Sequence, residues 1–116
     1  MPRFVVLIHD YPLLHWDFML EAGAVLRTWR LAAPPSADAV IEATPLGDHR
    51  SAYLDYEGPL SGNRGSVSRW DHGDYEAVED SGAHIVVQLR GQKARGTATL
   101  RRITPQQWHF TLQPNS

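Results

Sequence analysis

FVVLIHDYPLLHWDFMLEAGAVLRTWRL, residues 4–31, decides how the chain is read. Phe4-Val5-Val6-Leu7-Ile8 is rich in β-branched and aromatic residues and reads as a strand covered on both faces. In the second run, His15 to Leu20, strand alternation puts His15, Asp17 and Met19 on one face and Trp16, Phe18 and Leu20 on the other. Tyr11-Pro12 breaks the chain between the two runs, and a hairpin or tight corner there returns His9 beside His15 and Asp17. Glu21-Ala22-Gly23-Ala24 supplies a Gly-bearing turn, after which Val25 to Leu31 comes back with Val25, Arg27, Trp29 and Leu31 on one face. Three consecutive strands make a meander.

The same stretch carries the candidate chemistry. Two neutral imidazoles and one carboxylate, with coordination positions left open, suit a divalent transition metal. The competing reading of His9, His15 and Asp17 is a strand edge with a surface Asp and two hydrogen-bonded histidines, and spacing does not separate the two. His15-Trp16-Asp17 also fits half of an iron facial triad, whose third ligand would be a distant His84 or His109.

Beyond residue 31 the punctuation is that of a small β protein. Ala32-Ala33-Pro34-Pro35-Ser36 is a loop, because two prolines in a row cannot continue a central strand. Ala37 to Thr44 reads equally as a helical turn or a strand, Pro45 to Arg50 as a polar loop, and Tyr53 to Glu57 as a short helical turn or irregular crossing. Ser66 to Trp70 is a strand, Asp71-His72-Gly73 a turn and Asp74 to Glu79 the next strand. Ala83, Ile85, Val87 and Leu89 alternate with His84, Val86, Gln88 and Arg90, as in a strand with one buried face; Thr97 to Arg102 and Gln107 to Leu112 follow. About eight short strands at this spacing predict a mainly β domain, a small antiparallel barrel or sandwich with one or two short helical turns. The whole of residues 1–116 is read as one domain.

With 11 basic and 13 acidic residues the formal charge is −2, which removes any global electrostatic case for nucleic-acid binding and leaves only local contacts. Cys is absent, which excludes disulfides and thiolate metal sites. The apolar runs are far too short to cross a bilayer, so the expectation is a cytoplasmic, monomeric protein without membrane contact.

Read together, several phrases resemble the 3'-phosphoesterase domain of bacterial DNA ligase D. They are FVVLIH (Phe4 to His9), LHWDFMLE (Leu14 to Glu21), the Trp29 strand, Asp48-His49 followed by Tyr53 and DYEG (Asp55 to Gly58), VSRWDHGDYE (Val67 to Glu76) and LRGQKARGTATLRR (Leu89 to Arg102). The resemblance implies a β barrel that uses a metal, manganese first and zinc or another transition metal next, to process the 3' end of a DNA or RNA strand. It implies His9, His15 and Asp17 as metal ligands and catalytic residues, His49 as the catalytic, phosphate-contacting histidine, and Tyr53 beside it. A small phosphoester as substrate and repair proteins as partners follow from the same likeness.

Four positions depart from the family pattern. Met19, Ala33 and Ile41 stand where basic residues are expected, and Leu7 where a Gln is. Losing one preorganised donor to a transition-state oxyanion costs about 2.7–4 kcal/mol, so the resemblance implies reduced or altered activity, or a docking module that keeps the metal. Arg50, next to His49, is the nearest replacement cation; Arg27, Arg30 and Arg64 read as solvated surface residues. The cluster Lys93, Arg95, Arg101 and Arg102 is the expected contact for a nucleic-acid backbone. The four tryptophans read as core and His72 as a histidine hydrogen-bonded within its turn.

Overall fold

In the computed structural model, which describes residues 1–115, the meander is present: β1 (Arg3–His9), β2 (His15–Ala22) and β3 (Val25–Leu31) pair antiparallel in sequence. They are followed by β4 (Ile41–Arg50), a 3-10 turn (Ser51–Leu54), the two-residue β5 (Gly58–Pro59), β6 (Ser66–Asp80), β7 (His84–Gly91), β8 (Arg95–Thr104) and β9 (Gln107–Pro114). The strand order is β1-β2-β3-β4-β9-β8-β7-β6-β5, and a further β1–β6 pairing closes eight of the strands into an antiparallel barrel. Closure leaves no long edge for another chain to pair with. No helix among the described residues is long and apolar enough to cross a membrane.

Two predicted loops are strand. Pro45 to Arg50 belongs to β4, because Pro45 falls where β4 has left β9 and has only β3 as a neighbour. Such an edge tolerates a strand proline. Asp71-His72-Gly73 is not a turn but the middle of the 15-residue β6, which pairs with β1 through its first half and β7 through its second. Gly73 is there for clearance, since a Cβ would lie 2.1 Å from the Arg90 carbonyl oxygen. Asp71 is buried and turns away from its own strand to accept the backbone N–H groups of Gln92, Lys93 and Ala94 at 2.7–3.0 Å, holding the β7–β8 turn.

The two faces of the wall serve two cores. Phe4, Val6, Phe18, Leu20, Trp29, Leu31, Leu89, Leu100 and Phe110 fill the barrel interior, with Trp108 buried against Trp29 and with Trp16 and Trp70 partly covered at the margin. The alternate residues Val5, Leu7, Met19 and Leu26 face outward and would be exposed but for Leu54 and Val67, with Tyr53 and Leu60 at the rim. This second core sits under residues 51–67. Ion pairs from Arg3 to Asp55 at 2.7 Å and from Arg69 to Asp55 at 3.7 Å tie that covering segment down. The bond from the Arg69 backbone N–H to Glu57 adds a third tie at 2.8 Å.

Candidate metal centre and phosphate cleft

His9, His15 and Asp17 share the outward face with this second core. The register sets His9 opposite His15 and Leu7 opposite Asp17, so strand pairing alone brings the three side chains together. Their donor atoms lie within 4.8 Å of one another. His15 Nε2 is 3.0 Å from Asp17 Oδ1, and His9 Nδ1 is 3.3 Å from Asp17 Oδ2. First-row metals with bonds of about 2.0–2.2 Å hold neighbouring ligand atoms roughly 3.0–3.4 Å apart.

The hydrogen bonds around each ring decide which nitrogen is free. A carbonyl oxygen only accepts, so the ring nitrogen that faces it carries the hydrogen. His15 donates from Nδ1 to the Leu13 carbonyl at 2.8 Å, which leaves the Nε2 lone pair of the neutral ring toward Asp17. His9 donates from Nε2 to the Arg64 carbonyl at 2.9 Å, which frees Nδ1. This is the outer support that metal-bound histidines use. Although His15 Nε2 and Asp17 Oδ1 are close, neither has a hydrogen-bond partner among the described residues, and both atoms are buried. Two acceptors that converge unbonded in a buried place fit a cation between them.

His49 stands on β4 opposite Leu26, at the end of a register shift in the β3–β4 ladder, and its Nδ1 donates to the Gly47 carbonyl at 2.8 Å. Its Nε2 is therefore the free atom. The 3-10 turn after β4 places Tyr53 beside it, ring centres 5.8 Å apart. His9, Asp17, His49 and Tyr53 line one open cleft of about 110 Å3, walled by Leu7 and Met19. Of the resemblance-derived residues, His9, Asp17, His49 and Tyr53 thus meet in one cleft, His15 adjoins it through Asp17 without lining it, and Arg50 lies outside it in an adjoining hollow.

Arg64, read from the sequence as a solvated residue, is exposed and also lines the cleft. The loop that carries it is coiled by positive φ at Gly62, Asn63 and Gly65. Residues that tolerate that region, clustered as G-N-x-G, were the available signal. At Gly65 a Cβ would come within 2.2 Å of Asp10 Oδ1, and Asp10 in turn accepts the Ser66 N–H at 2.8 Å. The loop is thereby pressed against the end of β1, with the Arg64 carbonyl on His9.

The other candidates are elsewhere. His84 pairs with Glu79 and His109 with Glu42, and neither joins the metal-capable cluster, so the facial-triad alternative falls. Arg27 pairs with Asp80 at 2.6 Å. Arg95, Arg101 and Arg102 are on β8, across the barrel from β2, Lys93 lies over the Trp70 ring at 4.9 Å, and none of the four lines the cleft. Ala33 and Ile41 pack with the barrel core, whereas Met19 and Leu7 border the cleft with apolar side chains.

Residues 8–102 match the family described as the DNA Ligase D 3'-phosphoesterase domain. The chain is 31% identical over 104 residues to the multifunctional non-homologous end joining protein LigD of Pseudomonas aeruginosa, a match covering 81% of this chain and 12% of that protein. Against the LigD proteins of Mycobacterium tuberculosis and Mycolicibacterium smegmatis it is 27% identical, covering 90% and 91% of this chain and 15% and 16% of theirs. The chain therefore spans less than a fifth of the length of these relatives. With the family match extending over most of its residues, the chain belongs to the DNA ligase D 3'-phosphoesterase domain family.

Proposed function

We propose that this domain hydrolyses a phosphoester at the 3' end of a nucleic-acid strand, in the end-joining repair setting that its relatives' names describe. His9, His15 and Asp17 would hold a divalent metal, manganese by family likeness, with zinc also suited to two imidazoles and a carboxylate. The observation that carries this reading is the pair of buried, unbonded acceptors, His15 Nε2 and Asp17 Oδ1. Bound there, a divalent cation supplies charge for a phosphate oxygen and acidity for a water at neutral pH.

The chain's own residues do the rest. Leu13 and Arg64 carbonyls fix the ring orientations of His15 and His9. In hydrolysis water adds to phosphorus, the ester P–O bond breaks, and the leaving oxygen needs a proton. His49, anchored at Nδ1 by Gly47, presents Nε2 to the cleft and as imidazolium gives that proton. Tyr53 offers a hydroxyl donor to a phosphate oxygen in the same cleft. With Met19 and Leu7 apolar at its wall, the cleft has fewer donors than the family pattern, and the rate should be correspondingly low.

The test is turnover of a 3'-phosphorylated primer and of small phosphoesters with manganese present. Hydrolysis that disappears in His9→Ala supports the reading; no turnover above that variant on any substrate overturns it. The apolar wall favours one second reading, a docking module in a repair assembly that keeps the metal without catalysis. Binding of nucleic acid or a repair protein without hydrolysis would select it.

A further inference from the structure

We propose that the hollow beside the metal cleft is a nucleoside subsite, taking the base and sugar of a strand's terminal nucleotide while its phosphate lies over His9, His15 and Asp17. The proposal rests on the phosphoester reading above for the position of the phosphate. The hollow measures about 240 Å3 against about 110 Å3 for the cleft, and Tyr53, Leu60 and Arg64 line both. The cleft is thus the smaller compartment, and whatever the phosphate is attached to continues past Tyr53 and Arg64 into the larger one.

The chemistry of the larger compartment suits a nucleoside. Three rings run in steps out of the cleft: His49 to Tyr53 at 5.8 Å and 68°, then Tyr53 to Tyr56 at 6.0 Å and 87°. Tyr56 is 37% exposed, and its hydroxyl donates to the Pro59 carbonyl, so the ring is held in place before any ligand arrives. The base at a strand's end has one face uncovered by a stacking neighbour, and an aromatic side chain accepts any such face.

The charges point the same way. Arg50 and Arg64 both line the hollow. Arg64 is positioned by the carbonyl and hydroxyl of Ser61 at 2.7 and 3.0 Å. Arg3, Arg27, Arg69 and Arg90 each have an aspartate within ion-pair distance, whereas among the described residues Arg50 and Arg64, like Arg30 and the three β8 arginines, have no carboxylate. In a chain of net charge −2, two such cations in one hollow with a pair of tyrosines are available for a phosphodiester of the strand and can cover a base face.

The decisive measurement is calorimetric titration of the manganese-loaded protein with a 3'-phosphorylated dinucleotide and, separately, with inorganic phosphate. The wild type should bind the dinucleotide about tenfold or more tighter, the scale of one base stacked on one ring. Arg50→Gln, a surface change at a strand end, and Tyr56→Leu should each remove most of that advantage. In the wild type the ring proton resonances of Tyr53 and Tyr56 should shift with the dinucleotide and not with phosphate. Equal affinity for the two ligands, or an advantage that both variants keep, overturns the subsite. An advantage without any turnover keeps the subsite and defeats the phosphoesterase reading; turnover without an advantage does the reverse.

Discussion

His15 Nε2 and Asp17 Oδ1 face each other at 3.0 Å, both buried, with no hydrogen bond between them. With Nδ1 of His15 donating to Leu13, Nε2 of the neutral ring is an acceptor like Asp17 Oδ1, and two lone pairs so placed repel unless a proton or a metal cation lies between them. Binding to the folded chain alone must then stabilise it, by about 2.7 kcal/mol at a free metal concentration a hundredfold above Kd. Thermal unfolding with manganese or zinc should show a midpoint several degrees higher than with EDTA. A midpoint that ignores both metals would remove the site.

Asp17→Asn separates stability from metal binding. An amide N–H could donate to the lone pair of His15, turning an acceptor–acceptor contact into a hydrogen bond worth about 1 kcal/mol. The variant should unfold, in EDTA, no earlier than the wild type, and the metal-induced rise should vanish. A variant that is less stable without metal would mean that the carboxylate holds the fold through some other contact.

The site was legible where alternation operates and illegible where tertiary pairing overrides local signals. His15, Asp17 and Met19 do share a face opposite Phe18 and Leu20, because β2 is a regular strand between two neighbours. His49 was assigned to a loop because Pro45 and Gly47 are turn formers, yet pairing with β3 extends that segment and aims the ring. Asp71 and Gly73 read as a turn for the same reason. Their use lies across the sheet, in the β7–β8 turn and the Arg90 backbone, which no local window contains. That the exposed Arg64 also borders the cleft depends on a loop folded back over β1, which local sequence does not show.

That long-range role of Asp71 has a measurable cost. Asp71→Ala would strand the buried Ala94 N–H, at about 1–3 kcal/mol, and leave those of the exposed Gln92 and Lys93 to water. Urea denaturation should show a loss of about 1–3 kcal/mol. Gly91→Ala should be comparably damaging, since its Cβ would lie 2.3 Å from Asp71 Oδ2 and 2.7 Å from Phe4 Cζ. A wild-type midpoint in either variant would show that the turn is not held this way.

Acid should loosen the fold through three aspartates. The Ser66 N–H holds the Asp10 carboxyl below the usual carboxylate range, the Arg3 guanidinium does so for Asp55, and the Gly82 N–H does so for Asp80. A carboxyl whose pKa is lower folded than unfolded contributes stability above its unfolded value, about 3.9, and loses it as pH falls through the folded one. The urea midpoint should therefore decline below about pH 4. The decline should be shallower in Asp55→Asn, which no longer titrates; an unchanged slope in that variant would exclude Asp55 as a contributor.

Met19→Arg tests whether the apolar cleft wall limits the chemistry. Met19 is 1% exposed, packed with Val5, Leu7, Leu26 and Leu54, yet it borders the cleft beside Asp17. An arginine there must overfill a closed core with its stem, at about 1–3 kcal/mol, while its guanidinium reaches toward the cleft. The variant should melt earlier than the wild type and bind phosphate more tightly, with the faster hydrolysis that an added donor to the phosphate brings. Because Asp17 is the nearest carboxylate at that wall, the gain should depend on bound metal: with the site empty, the guanidinium pairs with Asp17 and phosphate affinity returns toward wild type. Tighter phosphate binding that persists in EDTA would show that the cation acts on the phosphate alone, and a variant that loses stability without gaining affinity would show that its side chain never reaches the cleft.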